Sequence, residues 1–187
     1  MSLFYWWEME KKIIVVFGSS QIKEENPEYP RIRELGKALA EAGFRVCSGG
    51  YAGAMEAVSR GAKDAGGETI GVTIRDSRKS HNPWIEKDEP MPDWKERLFR
   101  LIELGDGYVV CRGGTGTLVE LSCVWEMMRK KMMPLKPVVV LDSLWEELIS
   151  LLLASPEMEG GFFPFRFANS PEQAAAILKQ EIRCGCQ

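Results

Sequence analysis

Five short runs of apolar, largely β-branched residues recur along the chain, separated by stretches of helical periodicity, and this alternation sets the fold class. The runs are IIVVF (13–17), FRVCS (44–48), TIGVTI (69–74), GYVVC (107–111) and PVVVL (137–141). Between and after them the apolar spacing predicts helices over 28–42, 52–65, 93–104, 117–131, 144–153 and 171–182. Strands that are apolar at consecutive positions need cover on both faces, which a parallel sheet built from βαβ units supplies. The expected fold is α/β: a single-domain, Rossmann-like, doubly wound and mainly parallel sheet with helices on both faces. FRFAN (165–169) can add an edge strand. The stretch RDSRKSHNPWIEKDEPMP (75–92) is polar, contains proline and is too long for a simple connection, so it reads as a binding loop or a lid. Residues 1–12 read as an N-terminal extension opening on four aromatics in MSLFYWWE, residues 13–183 as the domain, and 184–187 as a flexible tail.

Composition narrows the chemistry. The 187 residues carry 24 Lys plus Arg against 27 Asp plus Glu, a net charge of −3, with 45% hydrophobic and 27% charged residues, which is ordinary for a globular domain. No run approaches the roughly 20 apolar residues of a membrane span. A mildly acidic chain without a basic stripe argues against nucleic acid as a partner. The single histidine, His81, excludes a His-rich zinc site and an HExxH motif, and leaves a Ser-His-Asp triad only if His81 is its centre. Neither a metal nor a cofactor is expected. The five cysteines are scattered, odd in number and preceded by no secretory signal, the pattern of reduced thiols in a cytoplasmic protein, and Cys184 and Cys186 in the terminal CGCQ receive no role.

In open α/β sheets ligands bind beyond the carboxyl ends of the strands, so the residues after each strand carry the functional information. The first strand is followed by Gly18, Ser19 and Ser20; the second by Gly49, Gly50 and Gly53; the fourth by Arg112, Gly113, Gly114, Thr115, Gly116 and Thr117, with Glu120 close behind. Glycines there let backbone N–H groups close on an anion, a helix N-terminus adds about half a positive charge, and threonine hydroxyls add donors, which together describe a phosphate cradle. No Gly-Lys-Ser or Gly-Lys-Thr follows, so the loops are not Walker A motifs. A dinucleotide fingerprint is imperfect, with Ser48 in place of its first glycine and Asp76 standing 23 residues beyond Gly53. The plain alternative is a tight turn over Gly113–Gly116 with a capping box from Thr117 to Glu120. On the helix predicted over 93–104, Trp94, Leu98, Leu101 and Ile102 make the buried face and Arg97 falls on its rim, placed to reach into a site or an interface.

Together these residues resemble the signature of the Lonely Guy (LOG) family, PGGxGTxxE preceded by the arginine of an MHxRK motif. Gly113, Gly114, Gly116, Thr117 and Glu120 match, Arg97 stands fifteen residues before Arg112, and Asp106 matches an acidic position ahead of the motif. The first two glycine loops are similar as well, so the resemblance covers roughly residues 13 to 150. It implies a Rossmann-like homodimer and one of two functions: a nucleoside 5′-monophosphate phosphoribohydrolase that releases base and ribose 5-phosphate, or a non-catalytic carrier of a nucleotide or a molybdenum-cofactor-like phosphate. An old lysine decarboxylase label attached to this family finds no support, since no pyridoxal-binding constellation stands out. The chain departs from the pattern at Arg112 (proline in the motif), at Trp94 and Lys95 (Met-His) and at Leu98 (lysine), which points to a different base or ligand.

Cleaving an N-glycosidic bond passes through an oxocarbenium-like sugar, and a carboxylate beside the ribose suits that charge. The resemblance thus implies residues 113–117 on the 5′-phosphate, Glu120 at the ribose, Arg97 positioning Glu120 and touching the nucleotide, and a nucleoside monophosphate as ligand. Glu56 is a candidate second acid. Trp84 and His81 in the long loop are candidates to stack on a base. The run from Met127 to Met133, with Arg129, Lys130 and Lys131, reads as core filler or as a homodimer surface.

Overall fold

The computed structural model describes residues 11–77, 80–158 and 162–184. Seven strands form one sheet: Ile13–Phe17 (β1), Arg45–Ser48 (β2), Thr69–Ile74 (β3), Lys87–Met91 (β4), Gly107–Val110 (β5), Val138–Val140 (β6) and Phe165–Phe167 (β7). Their order is β4-β3-β2-β1-β5-β6-β7 and every neighbouring pair is parallel. Six helices connect them: Glu28–Glu41 (α1), Ala54–Asp64 (α2), Trp94–Leu104 (α3), Thr115–Arg129 (α4), Ser143–Leu153 (α5) and Pro171–Cys184 (α6). None is long and apolar enough to cross a membrane.

Alternation along each strand divides the core in two. Ile14, Val16, Val46, Val109 and Val139 pack with α1, α2 and α6 on one face. Ile13, Val15, Phe17, Tyr108, Val110 and Val140 pack with α3, α4 and α5 on the other. This explains the unbroken apolar runs: all five residues of β1 are buried, because each of them faces one of two helical layers.

Chain order reverses at β1, with β2, β3 and β4 laid down to one side and β5, β6 and β7 to the other. The carboxyl ends of β1 and β5 therefore part around a crevice at the topological switch point, where α/β sheets hold their ligands. The register Phe17↔Val110 brings the loop at Gly18 beside the loop at Arg112, and Ser19 N–H donates to Arg112 O at 3.1 Å.

The stretch 75–92 corrects the loop reading. Its last residues form β4, paired with β3 from Ile70↔Lys87 to Ile74↔Met91. KDEPM has no apolar run because it is an edge strand, where charge and proline are tolerated. Its polar side chains are paired: Thr73 Oγ1 donates to Asp88 at 2.8 Å and Arg100 Nε to Glu89 at 2.9 Å. The residues before it are pinned by buried Asn82, whose Nδ2 donates to Gly50 O at 3.1 Å and Tyr51 O at 2.9 Å while its Oδ1 accepts from Trp84 N–H. Residues 1–10 and Cys186 lie outside the described residues, and α6 runs through Cys184.

Candidate functional site

A cleft of about 520 Å³ opens at the carboxyl ends of β1, β2 and β3 and the amino end of α4. Gly18, Ser19, Ser20, Arg97, Gly114, Thr115, Gly116, Thr117 and Glu120 line it, so the structure gathers most of the expected residues in one place. Tyr51, Met55, Ile74, Trp94, Gln21 and Ser77 complete the wall.

Helix α4 begins at Thr115 with Gly114 as its N-cap, and Gly114 supplies no side chain to close the first turn. The N–H groups of Thr115, Gly116 and Thr117 receive no partner among the described residues; the first amide to bond back is Leu118 N, to Gly114 O at 3.0 Å. The Thr117 hydroxyl, in a residue only 3% exposed, is likewise without a hydrogen bond there. Three amides, two threonine hydroxyls and the positive end of a fifteen-residue helix thus converge on the cleft. Because the helix is capped at Gly114, three residues before the Thr117 that the capping-box alternative requires, Glu120 does not stand at its third position and caps nothing.

The glycines have separate reasons. A Cβ on Gly113 would overlap Thr117 Oγ1, and one on Gly18 would come within 2.7 Å of Ala54 Cβ, so these two serve close packing. Gly114 and Gly116 meet nothing within 4 Å, so packing does not account for them and their open side is the cleft. Gly50 and Gly53 adopt φ of 76° and 72°, the left-handed region where a side chain is strained, and neither lines the cleft. Gly49 makes room for Arg97: a Cβ there would overlap the guanidinium.

Arg97 projects from α3 beneath the cleft. Its Nε donates to Val72 O at 2.7 Å and its Nη2 to Gly49 O at 2.9 Å, and the guanidinium lies 5.4 Å from the Tyr51 ring centre. Tyr51 is fixed in turn by accepting a hydrogen bond on its hydroxyl from Ile74 N–H at 2.9 Å. Burial lowers the Arg97 pKa, while the negative charge of Glu120 acts the other way.

Glu120, one turn and a half into α4, accepts no hydrogen bond and makes no ion pair among the described residues. Burial pushes its carboxyl up to about 7, and the attraction of Arg97 offsets only part of that rise. Arg97 therefore influences Glu120 through space without gripping it, which differs from a direct positioning contact.

Other expected residues stand elsewhere. Arg112 does not line the cleft; its Nη1 lies 3.6 Å from Asp142, the N-cap of α5. Glu56 faces Tyr29, whose hydroxyl donates to it at 3.5 Å, and is not in the cleft wall. Trp84 packs under Arg60 at 5.3 Å, and His81 is exposed with Nδ1 3.0 Å from Asn82 O, so neither lines the cleft. Asp76, the acidic residue of the dinucleotide alternative, is exposed outside it. Asp106 sits at the opposite ends of the strands, accepting from Ile13 N–H at 2.8 Å and Lys12 Nζ at 3.2 Å. Trp94 corrects the helical projection: instead of joining the buried face it is 53% exposed on the cleft rim. Met128 is buried, whereas Met132 is 70% exposed beside a second, apolar groove near Met133, Leu135 and Phe162. Among the described residues no group of three or more His, Cys, Asp or Glu is arranged to hold a metal.

The sequence pattern of the SLOG cluster4 family matches residues 11–159. A pyrimidine/purine nucleotide 5′-monophosphate nucleosidase of Escherichia coli is 31% identical over 120 residues, 58% of this chain and 26% of that protein, so the chain spans about a quarter of the nucleosidase it matches. In structure, the molybdenum cofactor binding protein of Rippkaea orientalis superimposes with a TM-score of 0.75 at 27% identity, covering 92% of this chain and 98% of that one. The molybdenum cofactor carrier protein of Chlamydomonas reinhardtii gives a TM-score of 0.70 at 26% identity, covering 91% and 98%.

Proposed function

Because the chain belongs to the SLOG cluster4 family, we propose that it binds a small ring-bearing organic phosphate, a nucleotide or a molybdenum-cofactor-like pterin, through its phosphate at the amino end of α4. The observation that carries this reading is the set of three unpartnered amides, those of Thr115, Gly116 and Thr117, facing a cleft floored by an arginine that no carboxylate neutralises. An anion is the ligand that satisfies all of them at once. Ser19 and Ser20 accept hydrogen bonds from Gln21, which leaves each hydroxyl proton for the ligand. Binding is the primary reading because the two solved structures named above, which cover more than nine-tenths of this chain, are named for binding or carrying the molybdenum cofactor, and because the second acid expected of a glycosidase-like site, Glu56, points elsewhere.

A second reading, hydrolysis, is favoured by Glu120. A carboxylate without hydrogen bonds, titrating near neutrality in the cleft wall, suits a group that faces a ribose and orients water. In that reaction the C1′–N bond breaks, water oxygen bonds to C1′, and one proton of the water ends on the departing base. Holding the phosphate remotely would fix the sugar against Glu120. The nucleosidase relative supports this reading over part of the chain.

The test is a panel of nucleoside monophosphates and the matching nucleosides, with binding measured by calorimetry and free base by chromatography, beside Glu120→Ala. Nucleotides should bind at least about tenfold more tightly than nucleosides; equal affinities overturn the phosphate reading. Base released by the wild type and lost in Glu120→Ala establishes hydrolysis, whereas binding without release by either leaves a carrier.

A further inference from the structure

Resting on the phosphate reading, we infer that Trp94 forms the ring subsite of the cleft and selects ligands that carry a flat heteroaromatic ring at the end remote from the phosphate. Three independent observations converge on it.

Trp94 is exposed without a structural reason. Trp125 and Trp145 are buried, and their indole N–H groups donate to Phe162 O and Cys111 O; Trp84 lies under Arg60. Trp94, by contrast, is 53% exposed, stacks on no ring or cation, and its indole N–H has no partner among the described residues. An amphipathic ring of that size is well suited to a ligand that offers another flat face.

Its place on the helix is fixed. Trp94 opens α3, and Asp93 caps the helix by accepting from Glu96 N–H at 2.9 Å. Residues three apart on a helix are neighbours, so Trp94 stands one turn before Arg97 on the same side, and both line the cleft. The arginine is anchored to Val72 and Gly49, which ties that turn of α3 to the sheet.

The sheet order gives the cleft a polarity. The amino end of α4 stands over the crevice between β1 and β5, whereas Trp94 follows β4 at the far side, with Ile74 at the end of β3 and Ser77 after it. From the β1–β5 crevice to the β3–β4 pair is three interstrand spacings, roughly 14 Å at backbone level. Arg97 lies between the two poles, under the ends of β2 and β3. The cleft thus has an anion pole, a cationic middle and an aromatic pole, the order of phosphate, sugar-sized spacer and ring. Trp94 and Lys95 stand where the motif that this segment resembles has Met-His, so the aromatic pole belongs to this chain's own sequence.

The experiment compares ribose 5-phosphate, adenosine 5′-monophosphate and a pterin phosphate as ligands of the wild type, Trp94→Ala and Trp94→Phe, with affinity by calorimetry, quenching of indole fluorescence and molecular size by sedimentation. In the wild type at least one ring-bearing ligand should bind more tightly than ribose 5-phosphate and quench fluorescence. Trp94→Ala should reduce that advantage by about fivefold or more while ribose 5-phosphate binds unchanged, and Trp94→Phe should retain most of it. Which ring gains more distinguishes a nucleotide from a pterin, and either gain supports the inference. Ring and ringless ligands binding equally to the wild type, or an advantage untouched in Trp94→Ala, overturns the ring subsite and leaves the phosphate reading standing. A Trp94→Ala protein that changes size with its ligand preference intact also overturns it, by making Trp94 an interface residue. Failure of ribose 5-phosphate and of both ring-bearing phosphates to bind the wild type overturns the phosphate reading and this inference with it.

Discussion

Glu120 offers a direct test of the site that needs no ligand. Its carboxyl is pushed from the ordinary 4.5 up to about 7, chiefly by burial and against the pull of Arg97. In the unfolded chain the same group titrates near its ordinary value, so between about 4.5 and 7 the folded protein holds a proton that the unfolded chain has released. Stability then falls as pH rises through that window and levels off above it. The shift, at about 1.4 kcal/mol per pKa unit, sets the total fall at no more than about 3.5 kcal/mol. Glu120→Gln keeps the shape and cannot ionise. The variant should match the wild type near pH 4.5 and be more stable by up to about 3.5 kcal/mol at pH 8.

Urea unfolding of both proteins at pH 4.5, 6, 7 and 8, read by circular dichroism, measures the difference directly. The two curves of stability against pH should separate with a midpoint between 4.5 and 7 and run parallel above about 7.5. A constant difference across the range refutes the reasoning, since it means that the Glu120 carboxyl titrates alike in folded and unfolded chains. A wild type that gains on the variant as pH rises refutes it more strongly, by placing an ion pair where none is found.

The glycine loop separates packing from ligand approach. Gly113→Ala should lower stability by about 1–3 kcal/mol, because its Cβ overlaps the Thr117 side chain; thermal unfolding checks this. Gly116→Ala meets nothing within 4 Å, so it should leave stability unchanged or slightly raised while weakening ribose 5-phosphate at least about fivefold; unaltered binding would show that the ligand does not approach there. Asn82→Ala removes the bonds to Gly50 O and Tyr51 O and should cost about 1–3 kcal/mol. Hydrogen exchange should accelerate around residues 80–86 before the central strands, and uniform protection would mean that Asn82 does not pin this segment.

The fold was legible because apolar runs and helix periods are local properties of this sequence. β1 is read from IIVVF alone, since both of its faces are buried. β4 escaped because an edge strand needs neither an apolar run nor an absence of proline; its place depends on pairing with β3, which KDEPM does not encode by itself. At the site, glycine spacing pointed to Gly114, Gly116 and Thr117 because a helix start beyond a strand has a local signature. Tyr51 and Met55 lay unnoticed inside the second glycine loop, and Ile74 at the end of a strand, because only the sheet order decides which strand ends share a cleft. Trp94 misled the helical projection for a related reason. Periodicity says which side of a helix faces inward, but the first turn of α3 overhangs an opening in the layer it packs on.

A net charge of −3 disfavours an anionic ligand at long range, yet the distribution of partners settles the sign locally. Arg33, Arg100, Arg129 and Arg166 each hold a carboxylate at 2.6 to 2.9 Å, the arrangement that cancels charge at a surface. Arg97 is held instead by two carbonyl oxygens, which fix its geometry and leave its full charge standing. A purely structural cation in that half-buried place would be better served by a carboxylate, because an unneutralised charge there is costly. The carboxylate that acts on it, Glu120, is itself protonated over part of the neutral range and therefore a weak counterion. Three idle amides at the start of α4 add to the same positive field. The cleft is thus short of negative charge in a chain that has an excess of it, and a phosphate supplies what is missing without any change in the protein.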